Sequence, residues 1–394
     1  MKKNLLAMAI STAFVLPGAA FADVKVYGKF NVGLDDQKDE IGITSSNGTN
    51  SSQQTAGSVK YADSTWSLHD QNNSSRLGFK GDTELGVGDL KAIFQLEYGV
   101  NPFGSEAVGG GSTAQSTFSQ RNIFVGLQGG FGTIKAGRID TPLKLAGEKA
   151  DQFNDEGIGD DTNLMVGETR INNIIVYTSP KIAEALTVNL AVVPGGGRTA
   201  LDDTNSVDKS IADTYYASLV FENEMLFGSV SYAANEPGSL KVDGKASVSV
   251  PTPIATQASS AGVDILRVVG AVKPIVDLEL NALFQQAKGI DQKGSATSAT
   301  ASELKETTYL VGAGYSIEAF KLKAEYGQTK ADYSDIKRDL MAFGIDYKLN
   351  KAFTTQLYYI QYQDKDRTIS LTSPTTAVTD PKTTAFGLGV VFTF

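Results

Sequence analysis

Residues 74–81 read SSRLGFKG. As a strand, this stretch puts Arg76, Gly78 and Lys80 on one face and Leu77 and Phe79 on the other, because successive side chains alternate. Two cations need water or anions in front of them, and two apolar groups need a dry surface. The fold follows from deciding which side of the strand is wet.

The same period of two recurs along the chain. Val26, Phe30, Val32 and Leu34 alternate with Lys25, Tyr27, Lys29 and Asn31. Leu90, Ala92, Phe94, Leu96 and Tyr98 alternate with Lys91, Ile93, Gln95 and Glu97. Comparable runs begin near Leu186, Leu278, Phe320 and Met341, and Phe386, Leu388, Val390, Phe392 and Phe394 close the chain. About sixteen segments of roughly ten residues can be placed, the length a tilted strand needs to cross a bilayer. Three of them, near 121–128, 171–179 and 262–273, alternate irregularly.

Short links at 85–88, 129–132, 180–184, 222–224, 273–275, 317–319 and 349–351 alternate with long polar ones. The long links are 35–72, 101–119, 140–170, 194–212, 235–261, 288–306 and 365–382. This rhythm describes an antiparallel meander with one end elaborated. Sixteen two-faced strands cannot all bury their apolar sides in one core, and a closed barrel of that size has a lumen too wide for side chains to fill. The lumen is then wet and the exterior dry. Closure satisfies every backbone donor and acceptor in lipid. The expectation is an all-β fold, a 16-stranded antiparallel transmembrane β-barrel, with Arg76 and Lys80 facing water and Leu77 and Phe79 facing lipid.

Composition narrows the function classes. The 394 residues carry a formal charge of −9 and the pI is about 4.9, so nucleic acid is not an expected partner. Without cysteine there is no disulfide, thiol catalysis or thiolate metal site. The single histidine, His69, lies beside Asp70 in a serine-rich segment. A nucleophile needs an oriented base, and this pattern does not supply one, so no enzyme, cofactor or metal centre is expected. The run DDQKDE at 35–40 reads as a solvated acidic loop, with divalent-ion binding as the sharper alternative. SVSVPTPIAT at 247–256 reads as a hairpin arm or a disordered stretch.

The first 22 residues, MKKNLLAMAISTAFVLPGAAFA, have a basic start, a short apolar run and a small-x-small end, the pattern of a secretory signal peptide. Cleavage after Ala22 would leave 372 residues, 23–394, and move the charge to −11, because Lys2 and Lys3 are lost.

VYGKFNVGL (26–34), SSRLGFKG (74–81), DLKAIFQLEYGV (89–100), FVGLQGGFGTIKAGRIDTPL (124–143) and the terminal Phe394 resemble the general diffusion porins of Gram-negative outer membranes. The resemblance implies export and insertion in the outer membrane among lipid and lipopolysaccharide. It implies a homotrimer of barrels, passive passage of small hydrophilic solutes and ions, and a long loop, here 140–170, folded inward as a constriction. It also implies wall cations opposite loop acids. Arg76, Arg121 and Arg170 match the wall positions, Lys29 resembles a fourth lumen cation, and Arg138 stands at the start of the loop. Where enteric members have Pro-Glu-Phe-Gly-Gly, this chain has QFNDEGIG at 152–159, which offers Asp155 and Glu156 alongside Asp151. Opposed charges across a narrow wet gap make a transverse field that orders water and hinders apolar solutes. The other readings are a substrate-selective porin for an oligosaccharide or an anion, and a barrel whose loops act as adhesin or receptor. An aromatic track would favour the sugar channel, and Tyr27 is the clearest inward aromatic.

Overall fold

The computed structural model describes residues 23–45, 57–103, 117–197, 210–238, 240–242, 262–290, 304–365, 368–371 and 376–394. The signal-peptide reading of 1–22 and the arm at 247–256 lie outside the described residues. Sixteen barrel strands run in chain order. They are β1 (Lys25–Ser45), β2 (Gly57–Asp70 and Arg76–Glu84), β3 (Lys91–Val100), β4 (Phe118–Gly129), β5 (Gly132–Asp140), β6 (Arg170–Thr178), β7 (Leu186–Val193) and β8 (Thr214–Glu222). The second half comprises β9 (Leu226–Glu236), β10 (Gly262–Ile275), β11 (Leu278–Ile290), β12 (Lys305–Ile317), β13 (Phe320–Ala331), β14 (Lys337–Lys348), β15 (Phe353–Lys365 and Thr368–Leu371) and β16 (Thr376–Thr393). Both segments of β2 pair with β1, and both segments of β15 pair with β16, so each counts once.

Every strand pairs antiparallel with its sequence neighbour, and β1 pairs with β16 to close the sheet, with Phe30 opposite Phe392 and Leu34 opposite Leu388. Lipid offers backbone groups no partner, so closure is the condition for spanning. Val26, Phe30, Leu34, Phe386, Leu388 and Phe392 are exposed on the outer surface, as their alternation requires. The parity read at SSRLGFKG holds: Arg76 points inward, where it meets an inserted-loop carboxylate.

Two of the expected long links are shorter than read. Residues 35–45 and 57–70 are strand, as are 368–371 and 376–382, within the links read as 35–72 and 365–382. DDQKDE therefore belongs to β1 and is not a loop. Asp36 accepts from Ser64, Asp39 accepts from Thr383 at 2.7 Å, and Lys38 pairs with Glu40. At about 3.4 Å per residue the 21 residues of β1 reach roughly 70 Å, well beyond a hydrocarbon core of about 30 Å. Polar composition reads as loop, but Thr and Ser suit a solvated strand once neighbours satisfy the backbone. The β13–β14 link, 332–336, is a further short connection that the loop rhythm does not reveal.

The last residue completes the seam. Phe394 exchanges two backbone hydrogen bonds with Gly28, at 2.9 and 3.1 Å, and its ring lies 6.2 Å from Phe30 and 5.8 Å from Phe392. Deleting Phe394 is expected to cut the yield of folded, heat-modifiable barrel several-fold while export continues. Gel mobility with and without boiling reads this, and an undiminished folded band refutes it.

Candidate functional site: an inserted loop and its charge ring

Residues 141–169 link β5 to β6. Thr141 caps a one-and-a-half-turn helix, α1 (Pro142–Gly147), its hydroxyl accepting from the Lys144 N–H at 3.2 Å. Leu143 and Val166 pack against Ile139, Ile174, Val176, Tyr216 and Ile265. Ala150, Phe153, Leu164 and Met165 pack against Val269, Leu283, Leu310, Leu340, Tyr358 and Ile360. These partners span β5 to β15, so the segment crosses the barrel interior and dries part of the wall. Glycine makes the room: a Cβ at Gly327 would collide with a Leu164 methyl, and one at Gly344 would lie 2.9 Å from the Phe153 ring.

Polar anchors fix the height of the loop. Arg267 on β10 is fully buried. It pairs with Glu168, donates to the carbonyls of Leu143 and Val166 at 3.2 Å each, and donates to Gln285 at 2.8 Å. Thr329 donates to the Leu164 carbonyl at 2.8 Å, and Arg338 to that of Asn163 at 3.1 Å. Glu156 is buried between Lys323 and Gln356.

The loop tip reaches the opposite wall. Asp155, at φ 64°, sets its carboxylate 2.9 Å from Lys29 Nζ and 3.6 Å from an Arg76 nitrogen. The Asn31 side-chain amide donates to the Asp155 carbonyl at 2.6 Å. Burial would push the Asp155 carboxyl up, but Lys29, Arg76 and Arg121 outweigh it and hold its pKa below the usual carboxylate range.

Between tip and wall lies a polar cavity of about 280 Å³. The wall contributes Arg76, Glu97, Arg121, Asn122, Asp140 and Arg170, and the loop contributes Lys144, Glu148, Asn154 and Asp155. The lining therefore holds four cations and four carboxylates. They pair locally: Arg121 with Glu97 at 2.9 Å, and Arg170 and Lys144 with Asp140 at 2.9 and 3.3 Å. Asn122 also donates to Asp140, at 2.6 Å.

Of the residues picked from the sequence, Arg76, Arg121, Arg170 and Asp155 line this cavity. Lys29 stands behind Asp155 as its ion-pair partner. Arg138 does not join them. It sits opposite Ile123, on the face that exposes Val125 and Ile134, and donates to the Gln120 carbonyl and Asn172. Strand alternation from Ile134 to Arg138 turns it outward. Asp151 and Glu156 are buried between loop and wall. Glu97 was not picked, although it shares the inward face with Lys91 and Gln95. Tyr27 is inward, donating to Glu97 at 2.9 Å and accepting from Gln95 at 2.8 Å.

His69 lies on β2, with Ser67 Oγ 3.1 Å from its Nδ1 and Asp35 3.6 Å from its Nε2. Ser67 also bonds Asp35, at 3.0 Å. One hydroxyl proton cannot serve both acceptors, and the carboxylate is the stronger. The trio reads as a polar brace between β1 and β2.

The profile of the Gram-negative porin family matches residues 6–368. The chain belongs to that family. Its barrel therefore resides in the outer membrane. The chain is 29% identical over 251 residues to major outer membrane protein P.IA of Neisseria meningitidis, covering 59% of this chain and 61% of that protein. It is 37% identical over 147 residues to P.IB of Neisseria gonorrhoeae, covering 37% and 34%. The matched region thus spans less than two thirds of those relatives. The fold is similar to that of Vibrio cholerae OmpT (TM-score 0.58, 15% identity, 97% of this chain and 100% of that one). It is also similar to Salmonella typhi OmpF in complex with daunomycin (TM-score 0.58, 15% identity, 94% and 97%). A trimer form of the Vibrio protein aligns at TM-score 0.57, with 14% identity over 95% and 99%.

Proposed function

We propose that this porin forms a water-filled channel through which small hydrophilic solutes and ions diffuse passively, as a homotrimer among outer-membrane lipid and lipopolysaccharide. The polar cavity between loop and wall, lined by equal numbers of cationic and anionic side chains, carries the reading. Such a lining holds ordered water, rejects apolar solutes and favours neither ion sign strongly. The trimeric form of the Vibrio protein supports the assembly. Single channels in planar bilayers test it. Stepwise ohmic conductance in multiples of three, with a permeability ratio within a few-fold of unity, is expected. Absence of steps overturns the channel, and a ratio far above ten overturns the weak selectivity.

Glu148 gives the channel a pH response. Glu148 remains exposed to water at the cavity, yet partial desolvation by the neighbouring protein, and then Asp140, push its pKa up to about 7. As pH falls from 8 to 6 the carboxyl takes a proton and the lining gains one unit of positive charge. The reversal potential in a salt gradient should move toward anions over that range. Glu148→Gln should abolish the movement, and an unchanged pH response in that variant refutes the assignment.

A further inference from the structure

Between the loop and the wall lies a group of acids that is ion-paired with no cation among the described residues. Asp151, Asp160 and Asp161 are buried, and each offers an oxygen within 4.8 Å of the others. Asp151 accepts the N–H groups of Phe153 and Asp161 at 2.8 and 3.1 Å. Asp160 accepts those of Asp155 and Thr162, both at 2.9 Å. These bonds shape the loop and do not neutralise it.

Two buried oxygens in this region have no hydrogen-bond donor among the described residues. Asp161, 3% exposed, has an oxygen (Oδ2) with no hydrogen-bond donor among the described residues. Glu325, also 3% exposed, approaches from β13. One of its oxygens accepts the Gln152 N–H at 2.7 Å, and Oε1 is unpartnered. After burial, Glu325 is the charge that acts most strongly on Asp151, which places it against the group. Among the described residues no lysine, arginine or histidine is ion-paired with any of the four. The nearby cations are engaged elsewhere, Arg267 with Glu168 and Lys323 with Glu156 and Asp346. Burying several carboxylates together without compensation is strongly unfavourable.

We infer that this pocket binds one calcium ion, ligated by Asp151, Asp160 and Asp161, with the Glu325 carboxylate beside the set on the barrel wall as further compensating negative charge. An all-oxygen, carboxylate-rich and irregular set suits Ca²⁺, which takes six to eight such ligands. Mg²⁺ demands a near-ideal octahedron and keeps its waters. The absence of nitrogen and sulfur donors disfavours zinc and copper. Bound there, the ion cross-links loop residues 151 and 160–161, none of which lines the charged cavity. It would set loop rigidity without adding charge to the cavity lining.

The test uses the full folded protein in detergent after treatment with a chelator. Terbium is titrated in with tyrosine-sensitised luminescence as readout, since the Tyr362 hydroxyl lies 3.3 Å from the Asp160 carbonyl. Calcium is then added in competition. The wild type should show a saturable site displaced by calcium, and calcium should raise its thermal midpoint. Asp161→Asn should weaken terbium binding at least tenfold, lose the calcium response and melt higher than wild type in chelator, because a repulsion has been removed. Glu325→Gln serves as the second variant should the first not fold, with the same tenfold weakening expected. Wild-type melting insensitive to calcium would mean that protons alone neutralise the acids, and would overturn the site. Unchanged terbium affinity in the variants would overturn it too, by assigning the luminescence to surface carboxylates.

Discussion

Replacing Arg267 with methionine is expected to cost about 3–5 kcal/mol and to free the inserted loop. The guanidinium is fully buried and serves Glu168, two loop carbonyls and Gln285. Without it, Glu168 is left as an uncompensated charge in a dry site, and the carbonyls of Leu143 and Val166 each lose a donor. The barrel's backbone ladder is untouched, so the variant should still reach the folded state. It should lose heat resistance by several degrees and show larger, noisier conductance steps. Adding Glu168→Gln should restore most of the lost stability, because removing both charges costs far less than removing one. Heat-modifiability gels and bilayer recordings on the single and double variants read both effects. A single variant with wild-type melting and quiet wild-type steps would show that Arg267 does not hold the loop.

Charge substitutions in the cavity should move ion selectivity in opposite directions. One unit charge about 6 Å from a permeating ion in water contributes roughly 0.7 kcal/mol, a factor of about three in relative permeability. Arg76→Gln with Arg121→Gln removes two of the four lining cations and should raise cation preference by about an order of magnitude. Asp155→Asn should shift preference toward anions by about threefold, since Lys29 and Arg76 then lose their shared carboxylate. Asp151→Asn should leave selectivity where it is, because that carboxylate is buried under the loop and does not line the cavity. The acidic exterior contributes little, being screened within about 8–10 Å at physiological ionic strength. Reversal potentials in a salt gradient discriminate these outcomes. Equal values for the wild type, the double arginine variant and Asp155→Asn would show that current does not pass this ring.

The barrel was legible in the amino-acid pattern alone. Alternation has a period of two that survives any environment with one wet and one dry side, and it was readable in VYGKFNVGL, SSRLGFKG and the final strand. It also determined that Arg76 and Glu97 face inward, because a strand's parity assigns each side chain without further information. The three irregular stretches, 121–128, 171–179 and 262–273, had a cause that no local pattern contains. Their inner faces carry Phe124, Ile174, Val176, Val263 and Ile265 because the inserted loop packs over this part of the wall. Strands wetted on neither face lose their alternation. The same cover hides Arg267, which in sequence is a cation flanked by apolar residues and in the fold anchors the loop. Which loop acids meet water depends on how the loop packs against the wall. Asp155 and Glu148 reach the cavity, whereas Asp151 and Glu156 are buried against the wall a few residues away. A compact loop has no fixed period, so neighbouring carboxylates part according to which of them the wall's cations, glycines and apolar side chains can receive.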